Sequence, residues 1–214
     1  MNSIKLSAAA LIVSSSTFAD FTGATYTVEN LVAGYDTYKV FVNFSNPLDK
    51  MLAVNGDLEN GYAALSYNGG ELYNVGAFGI LDDDTGQYQN TPGANVLGDS
   101  FLTLGDQASD VQFSPNFLGG VAGQSVVNGT SFIQENNGGY FDSNPGTGIF
   151  DGGSGVLIAQ LTVASGEDIT FTGTASFNDA NGGLTAAAFS VTTVPAPGAL
   201  ALLGLAGLGR RRRS

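Results

Sequence analysis

Nine consecutive residues, Ile169 to Phe177, alternate apolar and polar side chains, a period of two that no helix can turn toward a single core. The pattern puts Ile169, Phe171, Ala175 and Phe177 on one face and Thr170, Thr172, Thr174 and Ser176 on the other. It predicts a strand with one wet side. Val156 to Val163 is apolar on both faces, which suits a central strand, and Tyr38, Val40, Val42 and Phe44 line one face of a third with Phe41 on its reverse. Further strands are expected at Ala24 to Val32, Met51 to Val54, Tyr62 to Tyr67, Phe101 to Leu104, Ser131 to Gln134 and Leu184 to Val194.

Turn residues separate these runs. Asn55-Gly56, Asn60-Gly61, Asn68-Gly69-Gly70, Asn137-Gly138-Gly139 and Asn181-Gly182-Gly183 all accept the positive φ of tight hairpins. Asp82 to Gly98 and Gly138 to Gly155 are expected as long loops. No amphipathic helical stretch lies between the two ends of the chain, and no fixed-period repeat suggests a solenoid or propeller. The predicted class is all-β: one antiparallel β-sandwich over residues 20–193, of the jelly-roll or immunoglobulin-like sort. There is no cysteine, so an apolar core must hold it, and fourteen Phe and eight Tyr can supply one.

The two ends read differently. Met1 to Lys5 carries one positive charge, Leu6 to Val13 is apolar, and Ser14 to Ala19 is a stretch of mostly small residues suited to cleavage after Ala19. Together they predict a signal helix over residues 1–19, with an amphipathic helix of the mature fold as the alternative. At the other end Val194-Pro195-Ala196-Pro197 precedes an uninterrupted Gly, Ala and Leu run, Gly198 to Gly209, and Arg210, Arg211, Arg212 and Arg213 follow at once. An apolar run gains by entering lipid, and four guanidinium groups resist crossing it. Twelve helical residues reach only about 18 Å against a hydrocarbon core of about 30 Å, a length that suits a temporary anchor.

This three-part tail, residues 194–214, resembles a PEP-CTERM sorting signal in its Pro-Ala-Pro form, where that family usually has Pro-Glu-Pro. The resemblance implies export, an inner-membrane intermediate held by a hydrophobic C-terminal helix, and processing by signal peptidase and an exosortase. It also implies a cell-surface or extracellular destination, with exopolysaccharide as a surrounding partner. A simple C-terminal membrane anchor is the alternative reading of the same residues.

Loss of both ends would leave Lys39 and Lys50 against all nineteen acidic groups, a net charge near −17. Such a body repels phosphate backbones, which argues against nucleic acid and in favour of cations. Asp82, Asp83 and Asp84 beside Gly86 form a candidate calcium loop, although Gly86 stands where an EF-hand needs an oxygen ligand; a solvated acidic loop is the alternative. Asp142-Ser143-Asn144 with Asp151-Gly152-Gly153 is a second candidate that Asx turns explain equally well.

Catalysis has little to build on. The chain has no His and no Cys, which excludes His-dependent triads, Cys-His pairs and His-ligated zinc. Glu29, Glu59, Glu71 and Glu135 are available as a glycosidase-type carboxylate pair, yet nineteen acidic groups on one domain meet by chance. No catalytic residue is assigned and a non-enzymatic surface or matrix protein is expected. A secreted carbohydrate-binding module is the alternative, with Tyr62, Tyr67, Tyr73, Tyr88 and Tyr140 as rings that either stack on sugars or pack in the core. The sequons at Asn43 and Asn128 carry little weight in this reading, the first lying inside an expected strand.

Overall fold

A computed structural model describes residues 6–8, 21–74, 98–105, 111–114, 117, 129–142, 149–150, 155–179 and 182–193. Within them the chain is built of strands and contains no α-helix. In chain order these are β1 (Leu6–Ala8), β2 (Phe21–Glu29), β3 (Tyr35–Phe44), β4 (Lys50–Asp57), β5 (Leu65–Gly69), β6 (Phe101–Leu102) and β7 (Val111–Phe113). There follow β8 (Ser131–Gln134), β9 (Asn136–Asp142), β10 (Ile149–Phe150), β11 (Val156–Ala164), β12 (Ile169–Asn178) and β13 (Leu184–Thr192). The smaller sheet runs β1-β2-β3-β11-β6, and the larger takes the other eight strands. Every pairing is antiparallel.

The larger sheet has fewer layers of chain than strands. β13 runs along one edge of β12 from Thr170 to Asn178, so β4 and β5 share the opposite edge end to end, β4 against Thr174 to Asn178 and β5 against Ile169 to Thr172. They are one long strand interrupted by an excursion, residues 58–64. Beside it, β9 and β8 form a second long strand broken only at Glu135, with β7 outside β9.

β3 and β11 match their expected patterns. Tyr38, Val40, Val42 and Phe44 are buried and Phe41 is half-buried on the reverse, while β11 is buried from Val156 to Val163 between β3 and β6. Its polar members are satisfied inside: Gln160 Nε2 donates to Asp99 O at 2.7 Å and Thr162 Oγ1 donates to Thr37 Oγ1 at 2.9 Å. Both sheets feed a single hydrophobic cluster. Phe177 of β12 meets Phe44 of β3 at 4.8 Å and Phe21 of β2 at 6.4 Å between ring centroids. Tyr140 of β9 also reaches across, its hydroxyl donating to Ile158 O of β11 at 2.8 Å.

Several expectations are corrected. Asn55-Gly56 and Asn137-Gly138-Gly139 are not turns but strand interior in β4 and β9, and Gly138 to Gly155 is not one loop, since it holds β9 and β10. These glycines are required by proximity. A Cβ on Gly56 would run into Gln134 O and Leu65 N, and one on Gly139 into Val54 O, where the interrupted strands pinch together. Asn60-Gly61 and Gly182 do turn, with φ of +81° and +84°. The strand expected from Tyr62 begins at Leu65, because residues 62–64 belong to the excursion. Of the expected signal helix, Leu6–Ala8 is instead extended, drawn onto the open edge of β2 with Leu6 opposite Val28 and Ala8 opposite Tyr26. The expected C-terminal helix lies outside the described residues.

Candidate functional site

The alternation in β12 propagates sideways through register. Val191, Phe171, Tyr67 and Phe132 stand side by side on β13, β12, β5 and β8, and all four are buried. That row faces the core, with Tyr67 stacked on Phe132 at 5.9 Å. The rows on either side must face outward. One is Thr192, Thr170, Asn68 and Ser131; the other is Ser190, Thr172, Ser66 and Ile133. The result is a grid, two rows deep and four strands wide, of small polar side chains at every position but Ile133. Neighbouring positions lie about 4.8 Å apart across strands and about 6.6 Å apart along them.

The hydroxyls hold one another. Ser66 Oγ and Thr172 Oγ1 are 2.7 Å apart and Thr170 Oγ1 and Thr192 Oγ1 are 3.3 Å apart, so each pair spans two strands. A hydroxyl has one donor and two acceptor sites, which leaves each member able to bond outward as well. β-Branched Thr adds stiffness at χ1. The expected wet side of β12 is therefore not simply open water. Its Thr174 end is covered by the excursion, whose Ala64 carbonyl accepts from Thr172 Oγ1 at 2.9 Å while Ala63 engages Thr174.

That excursion borders the grid. It is closed by Asp57, which accepts from Asn60 Nδ2 at 2.7 Å and from Asn60 N at 3.3 Å, and it turns at Gly61. Leu58 and Tyr62 on it are 48% and 38% exposed, and Ile133 at the end of one grid row is 61% exposed.

Neither row carries a charged side chain. The described carboxylates sit elsewhere and several close turns. Asp36 accepts from Asn30 Nδ2 at 2.6 Å, Ser165 Oγ at 3.1 Å and Gly166 N at 3.2 Å, tying the β2–β3 connection to the β11–β12 turn. Asp179 accepts from Gly183 N at 2.8 Å in the β12–β13 turn. Glu29 pairs with Lys39 at 3.1 Å. Burial pushes the phenols of Tyr26, Tyr38, Tyr67 and Tyr140 above their ordinary range, and Asp168 beside Tyr26 and Glu167 beside Tyr67 push the same way.

Most of the residues singled out from sequence lie outside the described residues: Ala19, Asp82, Asp83, Asp84, Tyr88, Val194, Pro195, Ala196, Pro197 and Arg210 to Arg213. Asp142 is buried at the end of β9; the rest of its candidate loop is likewise outside. Among the described residues no group of three or more acidic side chains is placed to hold a metal, and no helix is long and apolar enough to cross a membrane. The five tyrosines divide. Tyr67 and Tyr140 are core, Tyr73 is half-buried with its ring 4.7 Å from that of Tyr35, and Tyr62 is exposed. Glu59 and Glu135 occupy the excursion and the break between β8 and β9, and Glu71 is exposed after β5. Sequence reading found the Thr170 to Ser176 row but not its neighbours on β5, β8 and β13, which only register brings alongside. No protein-family model, curated protein or solved structure matches the chain.

Proposed function

We propose that this chain is an exported, non-enzymatic cell-surface or extracellular-matrix protein, passed through the inner membrane and processed by signal peptidase and an exosortase-type enzyme. The observation that carries the reading is the order of the tail: Val194-Pro195-Ala196-Pro197, then the apolar Gly198 to Gly209, then Arg210 to Arg213. An apolar helix of that length is a marginal span that cationic side chains can brake at the cytoplasmic face. The leader before Asp20 supplies the matching export signal. The body is an antiparallel β-sandwich of the jelly-roll or immunoglobulin-like sort, a reading supported by the contacts of Phe177 with Phe44 and Phe21 across the two sheets. The lack of His and Cys in the chain, which removes Ser–His and Cys–His nucleophile–base pairs, supports a non-enzymatic role.

Mass spectrometry of the protein recovered from its own cells tests this. The expected mature form starts at Asp20 and ends near Pro195 to Pro197. A soluble cytosolic chain that retains Met1 and the arginine cluster would overturn the proposal.

A further inference from the structure

We propose that the outward grid of the larger sheet, Thr192, Thr170, Asn68 and Ser131 beside Ser190, Thr172, Ser66 and Ile133, is a binding face for a neutral polysaccharide chain. This inference does not rest on export or on the tail.

Charge narrows the occupant first. The chain carries a net charge of −12, yet both rows of the grid are uncharged. An anionic polymer finds no cation there and is repelled by the body around it. A second copy brings the same net charge, and small hydroxyl side chains offer little apolar area to offset that repulsion. A neutral partner meets neither penalty.

Hydrogen-bond chemistry narrows it further. The floor presents hydroxyl and amide groups: Thr172 gives its proton to Ala64 O, so Ser66 donates to Thr172 and that pair offers acceptor sites, while the Thr170–Thr192 pair keeps one donor and Asn68 carries both kinds of group. Sugar hydroxyls are donors and acceptors of the same kind, repeated along a chain. Because the floor is already ordered by its own hydrogen bonds and by β-branched side chains, little side-chain freedom is lost when a ligand settles on it. The exposed Ile133 at the end of one row supplies apolar surface for the C–H face of a sugar ring. Each contact is weak, so binding should grow with polymer length.

The test is retention of the purified full-length protein on amylose, dextran and microcrystalline cellulose, with alginate as an anionic control. Thr192→Glu and Asn68→Asp each place a charge on an exposed position of the floor. The expected result is retention on at least one neutral glucan, none on alginate, and about tenfold weaker retention of both variants at an unchanged melting temperature. If a variant melts early, Ser131→Glu on the exposed β8 edge of the same row poses the same question. No retention on any neutral glucan overturns the proposal, as does retention that the folded variants leave intact. A change in sedimentation of the variants without a change in retention would instead make the face a contact between copies, and would overturn it too.

Discussion

Thr174 of β12 holds the backbone of Ala63 at both polar groups, its Oγ1 accepting from Ala63 N at 3.1 Å and donating to Ala63 O at 3.3 Å. Thr174 is fully buried, 111 residues from its partner, and it fastens the excursion between β4 and β5 to the sheet beneath. Thr174→Val keeps the shape and removes both bonds. The expected cost is about 1–3 kcal/mol in urea unfolding, with faster proteolysis within residues 58–62. Thr174→Ser should retain most of the stability.

Phe177 joins the two sheets through Phe44 and Phe21 and is 1% exposed. Phe177→Ala leaves a cavity between β12 and the β2–β3 pair. Unfolding in urea should show a loss of about 3–5 kcal/mol, and Phe177→Leu should recover much of it.

Gly61 and Gly139 are expected to respond differently to the same substitution. Gly61 has a φ of +81° and open space around it, so Gly61→Asn should be nearly neutral, Asn being tolerant of that conformation. Gly139 has backbone where a side chain would go, namely Val54 O and Asn55. Gly139→Asn must part β4 from β9, and a loss of about 1–3 kcal/mol or more is expected. Thermal melts of the two variants side by side check the contrast.

Alkali should unfold the protein. The folded state holds the phenol protons of Tyr26, Tyr38, Tyr67 and Tyr140 more tightly than the unfolded chain does, because burial disfavours phenolate. Raised folded values mean stability is fully present below the ordinary phenol value of 10.0 and falls as pH climbs above it. Urea midpoints should drop above about pH 10, with the phenolate absorbance of these rings appearing together with unfolding. Tyr140→Phe should flatten that decline. At neutral pH it should cost only about 0.5–1.5 kcal/mol, since Ile158 O still accepts from Thr103 N at 3.0 Å.

Legibility followed the range of each cause. β3 and β12 were readable because a two-residue period is visible within the strand itself, as in Tyr38, Val40 and Val42, and β11 because its run is apolar on both faces. β9 was not, since Asn136–Asp142 has no alternation and is a strand because β4 and β7 supply partners on either side. The same Asn-Gly pair turns the chain at residues 60–61 and runs straight through β4 at residues 55–56. One glycine answers to φ and the other to a neighbouring backbone, and the dipeptide is the same for both. At the candidate site, the hydroxyl row of β12 was legible, whereas Asn68 and Thr192 joined it only through pairings with Thr170 102 and 22 residues away, and Ser131 through its pairing with Asn68, 63 residues away.

Composition and alternation by themselves determined that the described body is built of strands and that the chain is acidic and without thiol or imidazole chemistry, because those properties belong to single residues or to neighbours in sequence. Tertiary structure decided which strands lie side by side, and with them the uncharged hydroxyl face and the pinched glycines. Register is chosen by burying apolar rows from distant segments against one another, and a one-residue slip would send every one of those side chains to the opposite face.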